Sequence, residues 1–278
     1  MSSVRLEDSI GRQEERLDFA AVAPLRGLAA LLDHSDSAWR AGEAPPLGHW
    51  LYFLPRAPQS EIGEDGHPRR GDFLPPVALP RRMWAGGRLT FHVPIRIGEA
   101  IRRRSSIAGV EAKTGRSGEM VFVKVLHEIS TNAGLAVSEE QEIVYRAAPQ
   151  PGEASPPARP APPDMSWSRA VDVDSVLLFR YSALTFNGHR IHYDRDYCRD
   201  VENYPGLVVH GPLSATLMVD LFLCHHPGAR IRSFRFRAHR PLFDTNPFTV
   251  AGLARPNGAA MWIADHEGHM AMSAELEA

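Results

Sequence analysis

One short segment of the chain concentrates side chains that could perform acid–base chemistry. It reads Thr185-Phe-Asn-Gly-His-Arg-Ile-His-Tyr-Asp194, which places an amide at Asn187, an imidazole at His192 and a carboxylate at Asp194. An unperturbed imidazole titrates at about pH 6.5, so His192 could accept and return a proton near neutrality. The amide of Asn187 can orient a water molecule, but it cannot exchange a proton with it. We therefore interpret this segment as an active site with His192 as the general base.

The next segment could bind an oxyanion at the start of a helix. Gly206-Leu-Val-Val-His-Gly-Pro212 precedes an apolar run that continues to Leu223. Proline suits the first turn of a helix, where the N–H groups have no acceptor within the helix. An oxygen placed against the N–H of Gly211 would meet an unpaired donor and the positive end of the helix dipole. We predict that Gly211 stabilises an oxyanion and that His210 contacts the substrate.

Two other residues of the first segment have more than one interpretation. Asp194 could orient His192 or donate a proton, and it could equally be the N-cap of the following residues. His189 lies three residues before His192, and such a pair can bind metal. A zinc site needs a further ligand, however, and no cluster of cysteines or carboxylates clearly supplies one. We expect no metal.

The composition argues against several classes of protein. The chain has 278 residues, of which 44% are hydrophobic, and a formal net charge of −2. This length can bury one large core or two domains, and the near-neutral charge argues against nucleic acid as a partner. The stretch Phe19 to Leu32 is interrupted by Pro24 and Arg26 and is too short to span a membrane. Cys198 and Cys224 show neither pairing nor metal spacing, which favours a reducing compartment. We expect a soluble cytoplasmic protein without a signal peptide.

A proline-rich stretch divides the chain. Residues 147–163 include seven prolines, which remove backbone donors and restrict φ. We predict an extended, semi-rigid linker at residues 147–165, with one half at residues 1–146 and the other at residues 166–278.

Hydrophobic periodicity predicts a helix followed by strands in each half. The first half shows helical spacing from Leu17 to Leu32, and Gly86-Gly87 and Gly115 to Gly118 are typical of turns. The second half shows a helix from Pro212 to Leu223. The predicted strands are Arg88 to Ile97, Met120 to Ile129, Leu135 to Tyr145, Arg232 to Ala238, Phe248 to Leu253, Ala260 to Asp265 and Met270 to Leu276. The pattern predicts an α+β fold with antiparallel sheet, built from a duplicated unit.

The motif Asn-x-x-x-x-His-x-Asp, followed by His-Gly and a helix, resembles the MaoC-like (R)-specific enoyl-thioester hydratases and dehydratases. These enzymes carry Asp-x-Asn-Pro-Leu-His at the equivalent place, so Asn187 stands where they have Asp. The two-residue acid–base scheme of the wider family therefore does not carry over to this chain. Four further segments are similar to the branch that contains type 2 hydroxyacyl-thioester dehydratase and the mesaconyl-CoA and itaconyl-CoA hydratases: Leu79-Pro-Arg-Arg-Met-Trp-Ala-Gly-Gly87, Gly115-Arg-Ser-Gly118, Glu139-Glu-Gln-Glu-Ile-Val-Tyr145 and Arg240-Pro-Leu-Phe-Asp244.

The resemblance implies a double hotdog, in which two fused hotdog folds join their sheets edge to edge and each sheet wraps around a central helix. It also implies that the first half keeps the fold without the catalytic residues. We expect a hydro-lyase acting on a short branched or dicarboxylic enoyl-CoA, such as mesaconyl-CoA or itaconyl-CoA. Coenzyme A is then part of the substrate, and no separate cofactor is expected. Two alternatives stay open, a 3-hydroxyacyl-thioester dehydratase of fatty-acid synthesis and a catalytically silent acyl-CoA-binding protein.

Several arginines could bind the negative charges of such a substrate. Arg235 and Arg237 share one face of a predicted strand, where they could form a solvated edge or bind coenzyme A phosphates, a role that Arg102 to Arg104 could also have. Arg180 and Arg190 flank the motif, and either one could pair with a distal carboxylate or be a surface residue. A homodimer is one assembly that we consider.

Overall fold

The computed structural model describes residues 5–35, 39–71, 73–115, 118–147 and 158–278. These residues form a ten-stranded sheet in which the strand pairs are antiparallel. The strands are β1 (Gln13–Phe19), β2 (Arg81–Phe91), β3 (Ala100–Gly115), β4 (Gly118–Thr131), β5 (Gly134–Arg146), β6 (Trp167–Val171), β7 (Ser233–Ala238), β8 (Phe248–Arg255), β9 (Gly258–Ala264) and β10 (Met270–Glu277). The α-helices are α1 (Val22–Leu31), α2 (Ser175–Thr185), α3 (Arg195–Asp200) and α4 (Gly211–His225). Short 3-10 helices lie at Leu6–Ser9, Gly48–Leu51, Gln59–Glu61 and Arg190–His192.

The strand order shows an internal duplication. It runs β1-β3-β4-β5-β2 in the first half and then β7-β10-β9-β8-β6 in the second. If β6 to β10 are matched in sequence with β1 to β5, the second half has the same strand order as the first, read in reverse. The two halves meet where β2 pairs with β7, from Gly86 opposite Arg237 to Thr90 opposite Ser233. This arrangement of two sheets joined edge to edge confirms the predicted double hotdog.

The junction between the halves depends on two glycines that we predicted to form a turn. That prediction is wrong, because Gly86 and Gly87 lie inside β2, next to a register shift against β5. A Cβ at Gly86 would lie 2.7 Å from the carbonyl oxygen of Phe236, and a Cβ at Gly87 would lie 3.0 Å from the ring of the same residue. Glycine is therefore required here for the close approach of β7, not for a change of direction.

Helix α4 forms the centre of the second half. Every residue from Leu213 to Phe222 is buried, which is typical of a helix enclosed on all sides. The helix packs against β8, β9 and β10. The first half instead contributes the ten-residue helix α1, which packs against α2, and the 3-10 helix at Gly48–Leu51.

The predicted helix from Leu17 to Leu32 begins too early. Its first residues belong to β1, where Leu17 and Phe19 are 74% and 52% exposed on an edge strand, and the helix starts at Val22. Helical spacing arose because these outward apolar side chains precede the alanine and leucine residues of α1. Strand β3 had no prediction, since the consecutive arginines near its start obscure the alternation of the strand.

The predicted linker at residues 147–165 falls largely outside the described residues, which do not include 148–157. From Arg159 onwards the chain follows the turn between β9 and β10. The N–H of Ala161 donates to the carbonyl of Gly268, and the N–H of Met270 donates to that of Arg159. The stiffness of the linker and the exact division into halves stay predictions.

The second predicted glycine turn, Gly115 to Gly118, lies between β3 and β4, whose last paired residues are these two glycines. Residues 116 and 117 lie outside the described part. In the described residues, none of the helices is long and apolar enough to cross a membrane.

Candidate active site

A cavity of about 800 Å³ lies between the two halves. The second half lines it with the end of α2, Asn187 and Pro212 at the start of α4. The first half lines it with β2, the loop around His67 and the inward faces of β4 and β5. The structure thus brings both predicted segments of the motif to one cavity.

His192 is buried, with 7% of its surface exposed, and its chain neighbour Tyr193 lines the cavity. Its Nδ1 lies 2.7 Å from the carbonyl oxygen of Val208. A carbonyl can only accept, so Nδ1 carries the proton and donates it, and Nε2 is left with a lone pair. The ring is stacked on His210 at a centroid distance of 3.6 Å and meets His189 edge-on at 5.4 Å. This tautomer is the one that a general base requires.

The site keeps His192 neutral. Burial lowers the pKa of His192 to about 3, and the neighbouring His189 adds to this effect, while the hydrogen bond to Val208 opposes it. Burial likewise lowers the pKa of His210, with contributions from His192 and His189. An imidazolium at this position is therefore unfavourable unless a negative charge forms beside it.

Asn187 is positioned by the end of α2. The helix ends at Thr185, Phe186 adopts a left-handed φ of 47°, and the N–H of Asn187 then donates to the carbonyl of Ser182 at 2.9 Å. The side-chain oxygen of Asn187 accepts the N–H of His189 at 3.0 Å. The Nδ2 group makes no hydrogen bond with the other described residues, and Asn187 lines the cavity. Its amide can thus donate to a water or a substrate there.

Asp194 has the structural role that we considered as the alternative to catalysis. Its carboxylate accepts the N–H of Tyr197 at 3.0 Å and caps α3. It also accepts Nε and Nη2 of Arg190 at 2.9 and 2.7 Å. These contacts lower the pKa of Asp194, first through the Tyr197 N–H and then through Arg190. The carboxylate is thus used by the cap and by Arg190, and His192 is oriented by Val208, so the structure supports the N-cap alternative and the catalytic role of Asp194 stays a prediction.

His210 and Gly211 lie at the start of α4, the helix start that the oxyanion prediction requires. Gly211 is the first residue of α4, and a Cβ there would lie 3.8 Å from the carbonyl oxygen of Trp84, with no closer heavy atom. His210 is buried and its Nε2 lies 2.9 Å from the hydroxyl of Ser182, which lines the cavity. Nδ1 of His210 is buried without a hydrogen-bond partner among the described residues. The roles of Gly211 and His210 in catalysis stay predictions.

The four predicted substrate-binding arginines do not line this cavity. Arg180 is exposed on α2, and Arg190 is held by Asp194, by the carbonyl of Glu64 and by the ring of Tyr197. Arg190 is already paired with an anion and Arg180 is exposed to solvent, and the binding of a substrate carboxylate by either one stays a prediction. Arg235 and Arg237 are exposed on the outer face of β7, opposite the buried Phe234 and Phe236, and their binding of phosphate stays a prediction.

Sequence reasoning missed two cavity residues of the first half, His67 and Arg82. The ring of His67 lies 4.1 Å from the ring of His189. Its loop is pressed against the motif, since the N–H of Arg190 donates to the carbonyl of Asp65 and a Cβ at Gly66 would lie 1.8 Å from the carbonyl oxygen of Gly188. The Asp-Gly pair signals a turn, but no local feature places that turn beside a motif more than 100 residues away.

The same contact creates a group of possible metal ligands. Asp65, His67 and His189 each offer one ligand atom, and these atoms lie within 4.8 Å of one another. The charge of Arg82, however, lowers the pKa of both imidazoles, after the larger effect of burial. A cation so close that it disfavours a proton on these rings also disfavours a metal ion, so the prediction of no metal stands as a prediction.

The chain is similar to known proteins over its whole length. A family model for hydroxyacyl-thioester dehydratase type 2 matches residues 44–244. Mesaconyl-C(4)-CoA hydratase of Chloroflexus aurantiacus is 47% identical over 280 residues, which cover 100% of this chain and 99% of that protein. The mitochondrial hydroxyacyl-thioester dehydratase type 2 of Schizosaccharomyces pombe is 27% identical over 264 residues, which cover 84% of this chain and 87% of that protein.

Solved structures share the fold at much lower identity. A MaoC-like dehydratase superposes with a TM-score of 0.73 at 12% identity, covering 98% of this chain and 99% of that one. A MaoC-like dehydratase from Phytophthora capsici gives 0.71 at 12% identity, covering 99% and 97%. Together with the match over most of the sequence, these findings show that the chain belongs to the hydroxyacyl-thioester dehydratase type 2 family.

Proposed function

We propose that this hydro-lyase hydrates mesaconyl-C4-CoA or a closely related short dicarboxylic enoyl-CoA. The observation that carries the proposal is the buried neutral imidazole of His192, whose protonated Nδ1 leaves Nε2 with a lone pair, and which is stacked on His210, the partner of the cavity residue Ser182. The relative that is 47% identical over the full length supports the substrate class. The family itself supports an unsaturated acyl thioester as the reactant.

A single base can complete the reaction. His192 Nε2 takes one proton from water while the water oxygen bonds to the β-carbon of the thioester. The π electrons of the double bond move to the thioester carbonyl and form an enolate. The enolate then takes the proton from His192 at the α-carbon, so one water supplies both added groups and the imidazole is regenerated. Asn187 holds the water without exchanging a proton, which explains how an amide can stand where the wider family has a carboxylate.

The lowered pKa of His192 fits this cycle. Burial makes the imidazolium a strong acid, so it returns its proton readily to the α-carbon. The enolate oxygen supplies the negative charge that offsets the imidazolium while both exist. An oxyanion at the N–H of Gly211 would be stabilised by the unpaired donors and the dipole of α4.

The part of the cavity within the first half contains both polar and apolar side chains. The polar ones include Arg103, His127, Glu139 and Gln141, and the apolar ones include Phe53, Leu54, Phe73, Leu74 and Ile129. Glu139 is buried there and accepts hydrogen bonds from Trp50 and Gln141 at 2.9 and 2.8 Å. Itaconyl-CoA is a second dicarboxylic candidate.

Loss of the ultraviolet absorbance of the conjugated enoyl thioester tests the proposal. We expect rapid loss with mesaconyl-C4-CoA, slower loss with crotonyl-CoA and the slowest with a long-chain trans-2-enoyl-CoA. In deuterated water, the deuterium at the α-carbon should lie on the same face as the new hydroxyl group. A preference for long unbranched chains would favour the fatty-acid dehydratase, and binding without turnover of any of these thioesters would favour the silent acyl-CoA-binding protein.

We also propose a cytoplasmic location, which the two free thiols of Cys198 and Cys224 support. A homodimer stays a prediction that sedimentation can test.

A further inference from the structure

The position of β2 relative to the oxyanion site defines where a second charged group of the substrate can bind. Trp84 lies beside Gly211 at the start of α4, and both Trp84 and Arg82 line the cavity. Met83 between them is 42% exposed on the other face of the strand. Arg82, two residues before Trp84, therefore lies on the same face of the strand, roughly 7 Å away. In a four-carbon dicarboxylic monothioester, the thioester oxygen and the carboxylate likewise lie at opposite ends of the acyl chain.

Arg82 has a direct neighbour across the sheet in Tyr145. The two residues are opposite each other in the pairing of β2 with β5, so their side chains share one face. Tyr145 is 0% exposed, and Arg82 is close enough to act on the pKa of its hydroxyl group through a hydrogen bond. A guanidinium can only donate, so the hydrogen of this buried hydroxyl has no acceptor among the described residues, and a ligand that accepts it would recover free energy.

The charge of Arg82 has no counterion among the described residues, whereas its neighbour Arg70 is held by the carbonyl oxygens of Val77, Leu79 and Pro80. The charge of Arg82 lowers the pKa of His67 and His189, the second of which contacts His192, after the larger effect of burial. The neutral imidazoles at this end of the cavity leave the guanidinium as a positive centre that can take an anion.

We infer that Arg82 and Tyr145 form the subsite for the free carboxylate of the acyl group, an inference that rests on the proposed function. The guanidinium donates N–H groups to the carboxylate and the Tyr145 hydroxyl donates its proton to the same group. In mesaconyl-C4-CoA the carboxylate is attached to the carbon that receives the hydroxyl group. Its binding therefore fixes the position of the β-carbon relative to His192 and excludes unsubstituted enoyl chains from the preferred orientation.

Binding of saturated thioesters tests the subsite without any turnover. Succinyl-CoA and butyryl-CoA have the same four-carbon acyl chain and differ in the terminal carboxylate. By calorimetry, wild-type protein should bind succinyl-CoA more tightly, and Arg82→Met should lower that affinity about 100-fold while leaving butyryl-CoA within about twofold. Tyr145→Phe should give a smaller loss, about tenfold. Arg88→Met, on the exposed face of the same strand, is the matched control and should change neither affinity.

Steady-state kinetics then test the subsite separately from the identity of the substrate. With mesaconyl-C4-CoA, Arg82→Met should lower kcat/KM by about 100-fold, and with crotonyl-CoA by less than threefold; Arg82→Lys should restore part of the loss. If Arg82→Met keeps the wild-type preference for mesaconyl-C4-CoA, the subsite assignment is wrong and the proposed function is unaffected. Equal affinity of wild-type protein for succinyl-CoA and butyryl-CoA would also overturn the subsite assignment. Failure of the wild type to hydrate mesaconyl-C4-CoA, with a tight and Arg82-dependent succinyl-CoA complex, would instead remove only the proposed substrate.

Discussion

The acid side of the pH profile reports directly on the environment of His192. Lowering the pH from 8 to 5.5 would protonate about 90% of an imidazole with an ordinary pKa of about 6.5. With burial holding the pKa of His192 at about 3, only about 0.3% is protonated at pH 5.5. We therefore expect kcat/KM for mesaconyl-C4-CoA to change by less than about twofold over this range, because kcat/KM follows the base of the free enzyme.

Acid unfolding must be kept apart from this titration. Burial lowers the pKa of His67, His189, His192 and His210. The unfolded chain binds protons on these residues below about pH 6.5 and the folded chain does not, so stability falls as the pH decreases below that value. At pH 5.5 each histidine could cost up to about 1.4 kcal/mol, which in sum approaches a typical stability of about 5–15 kcal/mol.

The assay is therefore a brief pH jump. Enzyme held at pH 7.5 is diluted into substrate at each pH, initial rates are recorded within seconds, and a sample returned to pH 7.5 must regain full activity. Circular dichroism at each pH checks that the fold is intact. A tenfold decrease in kcat/KM with a midpoint near pH 6.5, in protein that stays folded, would refute the buried neutral base.

Three substitutions test other parts of the site. His192→Gln should lower kcat by about two to four orders of magnitude without a comparable loss of thermal stability, and near-wild-type turnover would falsify its role as the base. Asn187→Ala should reduce activity without moving the acidic limb, whereas Asn187→Asp should retain activity by restoring a carboxyl group; pH profiles of both variants measure this. Gly66→Ala should lower both the melting temperature and kcat/KM, since φ is +86° and the new Cβ would collide with the carbonyl oxygen of Gly188. A fully active and stable Gly66→Ala variant would show that the loop carrying His67 is not fixed against the motif.

The candidate reactive segments could be located from the sequence because the pattern that marks them is local. The spacing from Asn187 to His192, and the Gly-Pro pair that starts α4, are contained in two short segments of the sequence. Helix α2, which positions Asn187, had no prediction. Its apolar residues point both inwards and outwards, with Leu178 buried and Phe179 61% exposed, so the helical period is weak.

The recognition part was not predictable, because it depends on tertiary contacts. Choosing the nearest cations in sequence favoured Arg180 and Arg190, yet neither of them lines the cavity, whereas Arg82 in the other half does. Arg82 acquires its position from the register of β2 against β5 and from the joining of β2 to β7. The hydrophobic periodicity of a single segment cannot predict the register between strands.

The duplication explains how one half can carry the candidate catalytic residues while the other carries the residues proposed to bind the acyl group. The second half retains the long helix α4, whose first turn can bind an oxyanion. At the corresponding place, the first half has only the 3-10 helix Gly48–Leu51, followed by a long segment that reaches the motif with the loop around Gly66. Replacing a long buried helix by a short one leaves space within the sheet of the first half, and polar residues of β2, β4 and β5 line the cavity there. A half without the catalytic motif can thus determine which acyl group the motif hydrates, and substitutions in that half should change substrate preference more than the chemical step.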